Sequence, residues 1–328
     1  MSNKPIYKLH NYFNIKNINY YDKWSFLSKN PKAIEILKEN IDNIDWFALS
    51  MNECYEAIEL LKNNKKNIDW FNLSSNIYAL EILKDNIDKI NWSNLSYNSN
   101  AILLLKNNPD KINWSNLSEN ISAINLLKEN KDKIDWCRLC NNKSKEAIEL
   151  LKENKDKIDW RILSKNEYAI DILLENKMKI FWSSLSLNEN DKAIELLKDN
   201  LDKIDWFNLH YNENPKVMDI IKLYPEKICW NSLSLNKNAI SLLKNNPDKI
   251  NWYLFSINPS LMQLLTEDNI INIKSNVYKN PAIFIYDYKK MEYNFLNITE
   301  EIIKEIIKPS RIFRNILLYN YDIDDMFD

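Results

Sequence analysis

The chain has 328 residues, a net charge of −2 from 44 Lys+Arg against 46 Asp+Glu, and no glycine. About 7% glycine is usual, and its absence removes the glycine-rich phosphate loops, the dinucleotide-binding turn and the nucleophile elbow of serine hydrolases, which need glycine for tight turns or close backbone approach. The basic residues are spread along the chain with no block to neutralise phosphates, which speaks against nucleic acid; no run approaches the roughly 18 apolar residues of a membrane span.

Residues 1 to 21 are rich in Tyr and Asn, contain no complete repeat, and lack the apolar run of a signal peptide. They read as the N-terminal cap of a cytoplasmic protein. Free thiols at Cys54, Cys137, Cys140 and Cys229 suit a reducing compartment.

From residue 22 onward one pattern takes over. All eleven tryptophans, Trp24, Trp46, Trp70, Trp92, Trp114, Trp136, Trp160, Trp182, Trp206, Trp230 and Trp252, are spaced by 22 or 24 residues. A fixed period of this length signals stacked repeats. Ile stands two residues before Trp in ten cases, Leu three after it in ten, and Asp or Asn immediately before it in eight. The Asp or Asn is a helix N-cap, Trp the first helical residue, and the Ile and Leu form a hydrophobic staple across the helix start. The W-x-x-L spacing is helical. A leucine-rich strand would need an apolar residue where Ser25, Ser93, Ser115, Arg161, Ser183 and Asn231 stand, so that reading is rejected.

The second element of each repeat is exemplified by Asn30-Pro31-Lys32-Ala33-Ile34-Glu35-Ile36-Leu37-Lys38-Glu39-Asn40. Its apolar residues fall on one helical face, Asn caps it, Pro suits the first position, and Glu35 can pair with Lys38. This predicts a helix of about ten residues, closed by an Asn in the left-handed conformation that glycine would otherwise supply.

Asn stands six residues after Trp in all eleven repeats, from Asn30 to Asn258. In the 24-residue repeats the helix cap passes to Cys54, Ser144, Asn190 or Asn214, yet the Asn persists. Capping does not account for it. These side chains are expected to end the Trp helix or to bond the backbone of the neighbouring repeat, forming a ladder.

Cys137 and Cys140 make a C-x-x-C, which a zinc or redox site could use. Two further ligands are missing nearby, and Cys140 occupies a position that is Ser in other repeats, so it reads as structural and no metal or other cofactor is expected. His210 likewise replaces that Ser, and His10 lies in the irregular N-terminal segment. Neither has a base and nucleophile beside it, so the chain reads as non-enzymatic.

Past Trp252 a twelfth unit decays: Lys274 holds the Trp position and Asn280-Pro281-Ala282-Ile283 is one residue short. Residues 292 to 328 read as a helical C-terminal cap, with an amphipathic helix over 299 to 308 and an acidic tail from Asp322 to Asp328. The fold expected is all-α: an α-solenoid of eleven two-helix Trp repeats (22 to 291, with the degenerate twelfth) between the two caps. At layer spacings of about 8 to 10 Å it would be a rod or arc roughly 100 Å long.

The unit I-[DN]-W-x-x-L-S-x-N-P-x-A-I-x-L-L-K, the stretch Asn-Pro-Ala-Ile-Phe-x-Tyr-Asp-Tyr at 280 to 288, and the ending from Pro-Ser-Arg-Ile (309 to 312) to Asp-Ile-Asp-Asp (322 to 325) resemble the tryptophan repeat gene family of entomopoxviruses. Closely similar repeat proteins occur in giant amoeba-infecting viruses. The resemblance covers nearly the whole chain and implies a viral accessory protein without an assigned enzymatic activity.

A long surface without catalytic residues suggests a scaffold that binds a host intracellular protein. The position five after Trp is mostly polar early in the chain, then becomes Leu187, Tyr211, Leu235 and Ile257 in four successive repeats. This stripe is the expected partner site, and sealing of the next helix is the structural alternative. Two further readings compete: a substrate adaptor whose C-terminal segment recruits host machinery such as a ubiquitin ligase, and a helical repeat reading nucleic acid with the aromatics Phe47, Phe71, Phe207 and Tyr253 that follow Trp.

Overall fold

A computed structural model of the chain describes residues 6–11, 13, 23–273 and 275–291. The residues expected to form the C-terminal helical cap lie outside the described ones. The repeat array is mostly helical. The first ten units each begin with a short Trp helix, such as Trp92–Leu95 or Trp114–Glu119, and continue into a second helix, such as Ile102–Lys106 or Lys145–Lys152; in the eleventh the second element shrinks to the 3-10 turn Leu261–Gln263.

The helix starts follow the local chemistry. All eight Asp or Asn residues preceding Trp accept a hydrogen bond from a backbone N–H in the first turn, as Asp45 does from Ala48 and Asn113 from Asn116. Phe181 and Cys229, which replace them, make no such bond. The staple partners Ile44 and Leu49 are both buried, and the same pair recurs along one continuous core.

The second helix differs from the sequence expectation. In most 22-residue units a capping Asn opens a turn that is 3-10 or irregular, and only five or six α-helical residues follow: Pro31–Ala33 precedes Ile34–Glu39. In the 24-residue units the insertion gives a continuous α-helix of up to nine residues, such as Tyr55–Asn63. Ser144 and Asn190 cap it with their side chains, but Cys54 makes no cap bond; its thiol donates to Glu56 instead.

The Asn that closes the second helix is not left-handed. At Asn40, Asn64, Asn86, Asn108, Asn130, Asn154, Asn176, Asn200 and Asn246, φ lies between −140° and −130°. Its Nδ2 reaches back to the carbonyl four residues earlier, as Asn40 to Ile36 at 2.8 Å and Asn86 to Ile82 at 2.7 Å. Asn therefore ends the helix with its side chain, satisfying an orphan carbonyl, and the chain turns through a 3-10 turn such as Ile41–Asn43 or Lys131–Lys133 into the next Trp helix.

The array also does not end as a rod: its last unit stacks on its first. Strand Tyr7–Leu9 pairs antiparallel with Phe284–Tyr286, Tyr7 opposite Tyr286. Asn30 Nδ2 donates to the Tyr278 carbonyl at 3.0 Å, the bond that Asn52 makes to Ser28 one unit later. Lys279 lies 4.1 Å over the Phe26 ring, and Lys290 pairs with Glu35 and Glu39 at 2.8 and 3.3 Å. The degenerate twelfth unit occupies the place before the first, and the solenoid closes into a ring. Twelve units in a circuit require about 30° of rotation each, the accumulated curvature that small steps between repeats produce.

Candidate interaction surface

What the repeat spends on its own construction defines what remains for binding. The Asn six after Trp forms the expected ladder. Asn76 Nδ2 donates to the carbonyls of Ser50 and Asn52, and Asn98 to those of Ser74 and Asn76, while the Asn98 Oδ1 accepts the Asn100 backbone N–H. The same bonds recur through Asn142, Asn166, Asn188, Asn212, Asn236, Asn258 and Asn280, and every ladder Asn is buried. These side chains are buried and committed to bonds within the ring.

A second stitch, not foreseen from the sequence, is made by the Ser four after Trp. Its hydroxyl donates to the Trp carbonyl one turn back and accepts the backbone N–H of the next unit's cap residue: Ser118 bonds Trp114 at 2.8 Å and receives the Asp135 N–H at 3.0 Å. The recurrence of Ser at this position was the available signal. Cys140, in the same place, is buried, and its thiol is pushed up to about 12, mainly by burial. Exposed Cys137, one turn earlier, is also raised, first by desolvation and then by Asp159 and Asp135. Both shifts favour the protonated thiol over the thiolate, and no group of three or more His, Cys, Asp or Glu is placed to hold a metal ion among the described residues.

His210 reproduces the Ser stitch with both ring nitrogens. Nδ1 donates to the Trp206 carbonyl and Nε2 accepts the Cys229 N–H at 3.1 Å, which requires the neutral Nδ1–H tautomer. Burial accordingly holds its pKa below the ordinary 6.5. The folded state binds this proton less readily than the unfolded state does. The contribution is fully present above about pH 6.5 and is lost as pH falls toward the folded value. The urea midpoint should therefore drop more between pH 7 and pH 5 in the wild type than in His210→Ser; parallel pH profiles would show that His210 carries no such linkage.

Lysines three before Trp form a third row. Lys111, Lys133, Lys157 and Lys203 place their ammonium groups 4.6 to 5.0 Å from the ring centroid of the preceding unit's tryptophan, at Trp92, Trp114, Trp136 and Trp182. Exposed cation–π pairs of this kind contribute about 0.5–1 kcal/mol each. The K-I-[DN]-W spelling was the sequence signal for them.

The positions one and five after Trp remain. Leu235 ends its Trp helix and Leu187 and Ile257 lie two residues past theirs; all three are half-buried, and Tyr211 is 38% exposed. The larger exposed area belongs to the residue after Trp: Phe47, Phe71, Phe207 and Tyr253 are 56 to 59% exposed. One helical turn joins the two positions, and Phe207 packs edge-on against Tyr211 with ring centroids 5.3 Å apart. In the sixth unit the same face is polar, with Arg138 held by Glu119 at 3.0 Å and by the Tyr97 hydroxyl at 2.8 Å. No described helix is long and apolar enough to cross a membrane. Set against protein-family models, curated proteins and solved structures, the chain matches none of them.

Proposed function

We propose that this ring is a non-enzymatic protein-interaction scaffold, a viral accessory protein that binds a host intracellular protein. One observation carries the reading. The repeated polar residues are consumed by bonds within and between units, whereas the residues that vary, one and five after Trp, leave Phe207, Tyr211 and Tyr253 exposed and Leu187, Leu235 and Ile257 half-buried across units eight to eleven. Leu187, Phe207, Tyr211, Leu235, Tyr253 and Ile257 combine half-buried aliphatic side chains with exposed aromatic rings, and aromatic anchors of this kind dominate protein-binding energetics. The resemblance of the repeat to the entomopoxvirus tryptophan repeat family supports the viral setting.

The test is affinity purification of the tagged protein from host cells beside a variant carrying Leu187→Lys, Tyr211→Glu, Leu235→Lys and Ile257→Glu. A host protein held by the wild type and recovered at least tenfold less with the variant, whose unfolding midpoint stays near the wild-type value, is the expected result. Equal recovery from both would remove the stripe as the partner site.

A further inference from the structure

The closure of the ring creates a cavity that neither end of the chain has alone. Phe26 and Lys29 from the first unit, Phe47 and Met51 from the second, and Lys279 from the twelfth line a space of about 390 Å³. These are again positions one, two and five after Trp, so the cavity lies on the face described above, continued across the seam. Its volume falls at the small end of the 300–1,000 Å³ range of about drug-sized ligand pockets.

Its chemistry is specific. Phe26, Phe47 and Met51 supply an apolar lining, and Lys29 and Lys279 bring two ammonium groups to it. Lys279 lies over the Phe26 ring, and neither ammonium is held by a carboxylate among the described residues. Some exposed lysines elsewhere on the ring, Lys192, Lys216 and Lys237, are instead neutralised by Asp171, Asp191 and Glu213 of the preceding unit. Two unneutralised cations beside an aromatic lining complement a ligand with a large apolar group flanked by negative charge.

We infer that the seam pocket binds a short acidic peptide segment of a partner protein, seating one aromatic side chain on Phe26, Phe47 and Met51 with flanking carboxylates on Lys29 and Lys279. This rests on the scaffold reading but uses a different part of the ring from the Leu187 to Ile257 stripe. Because the pocket spans the first and twelfth units, the ligand binds only the closed ring and stabilises closure by mass action.

The probe is a fluorescein-labelled peptide Glu-Glu-Phe-Glu-Glu, titrated with the full chain and read by anisotropy, beside Lys-Lys-Phe-Lys-Lys and Glu-Glu-Ala-Glu-Glu. The acidic Phe peptide is expected to bind at least tenfold more tightly than either control. Its affinity should weaken at least tenfold in Lys29→Glu/Lys279→Glu and in Phe47→Ala. The stripe variant should bind it like the wild type, so loss of partner capture by that variant and loss of peptide binding report on separate sites. Equal binding of acidic and basic peptides, or none of any peptide, would overturn the inference. So would acidic-peptide binding that emerges only when residues 322 to 328 are removed, which would make the chain's own acidic tail the occupant.

Discussion

Replacing Asn142 with Ala should destabilise the ring by about 3 kcal/mol, and replacing it with Asp should cost more. Asn142 is fully buried, and its Nδ2 donates to the carbonyls of Ser118 and Asn120 at 3.1 and 3.0 Å. Its Oδ1 accepts the Ser144 N–H at 3.1 Å and the Ser144 hydroxyl at 2.7 Å. Alanine leaves those groups without partners, at about 1–3 kcal/mol for each one that water does not reach. Aspartate keeps the shape and both acceptor bonds, but it turns a carboxylate oxygen toward two carbonyl oxygens in a buried site, where an unpaired charge is most costly. The order Asp below Ala below wild type, measured by urea unfolding, distinguishes a ladder held by donation from one held by shape alone. An Asp variant as stable as the wild type would remove the ladder's energetic role. Asn94, whose Nδ2 bonds only the Phe71 carbonyl at the surface, should tolerate Ala within about 0.5 kcal/mol.

Leu105→Ala should cost about 2–5 kcal/mol, while Leu103→Ala in the same helix should change stability by less than about 0.5 kcal/mol. Both lie in Ile102–Lys106, but Leu105 is wholly buried and Leu103 is 71% exposed. The two substitutions delete the same atoms from the same short helix, so intrinsic helix preference cancels between them. What differs is the hole left in the core, whose lining loses contacts that neighbouring side chains cannot restore. Unfolding midpoints that fall equally for the two would mean that Leu105 is not packed in a tight core. A repeat array need not unfold in one step, so amide exchange around Leu105 should be followed alongside the midpoint.

The parts of the fold legible in the sequence are those governed by residues near each other or by strict periodicity. Asp45, Asn91 and Asn251 cap their helices through bonds three residues long. The Asn ladder was legible because Asn persists in the 24-residue units where a cap is no longer needed. What escaped depends on geometry summed over the array. A small rotation per unit has no residue of its own, so closure could not be seen in any single repeat. The residues that make the seam, Tyr278 at a Ser position, Lys279 and Lys290, lie in and just past the unit whose missing Trp and short Asn280-Pro281-Ala282-Ile283 stretch read as decay. The left-handed Asn was expected from glycine's absence, but an amide that can bond the carbonyl four residues back ends a helix without needing positive φ. Of the candidate site, the stripe was visible as a change in residue type. The row of Phe47, Phe71, Phe207 and Tyr253 reads in the sequence only as base-stacking rings, because exposure is not written there.

Ring closure also changes how the molecule comes apart. An open stack frays from its terminal units, each of which has a single neighbour, and its middle outlasts its ends. The unit that begins at Trp24 instead has Ser28 joined to Asn52 on one side and Asn30 joined to Tyr278 on the other. No unit is terminal, and the first local opening must break two interfaces at once. Refolding meets the reverse problem, because the seam brings together segments separated by nearly the whole chain and can form only after the intervening units have set the curvature. The ring is thus slow to open and slow to close, and the protection of its amides from exchange should be nearly level around the circuit.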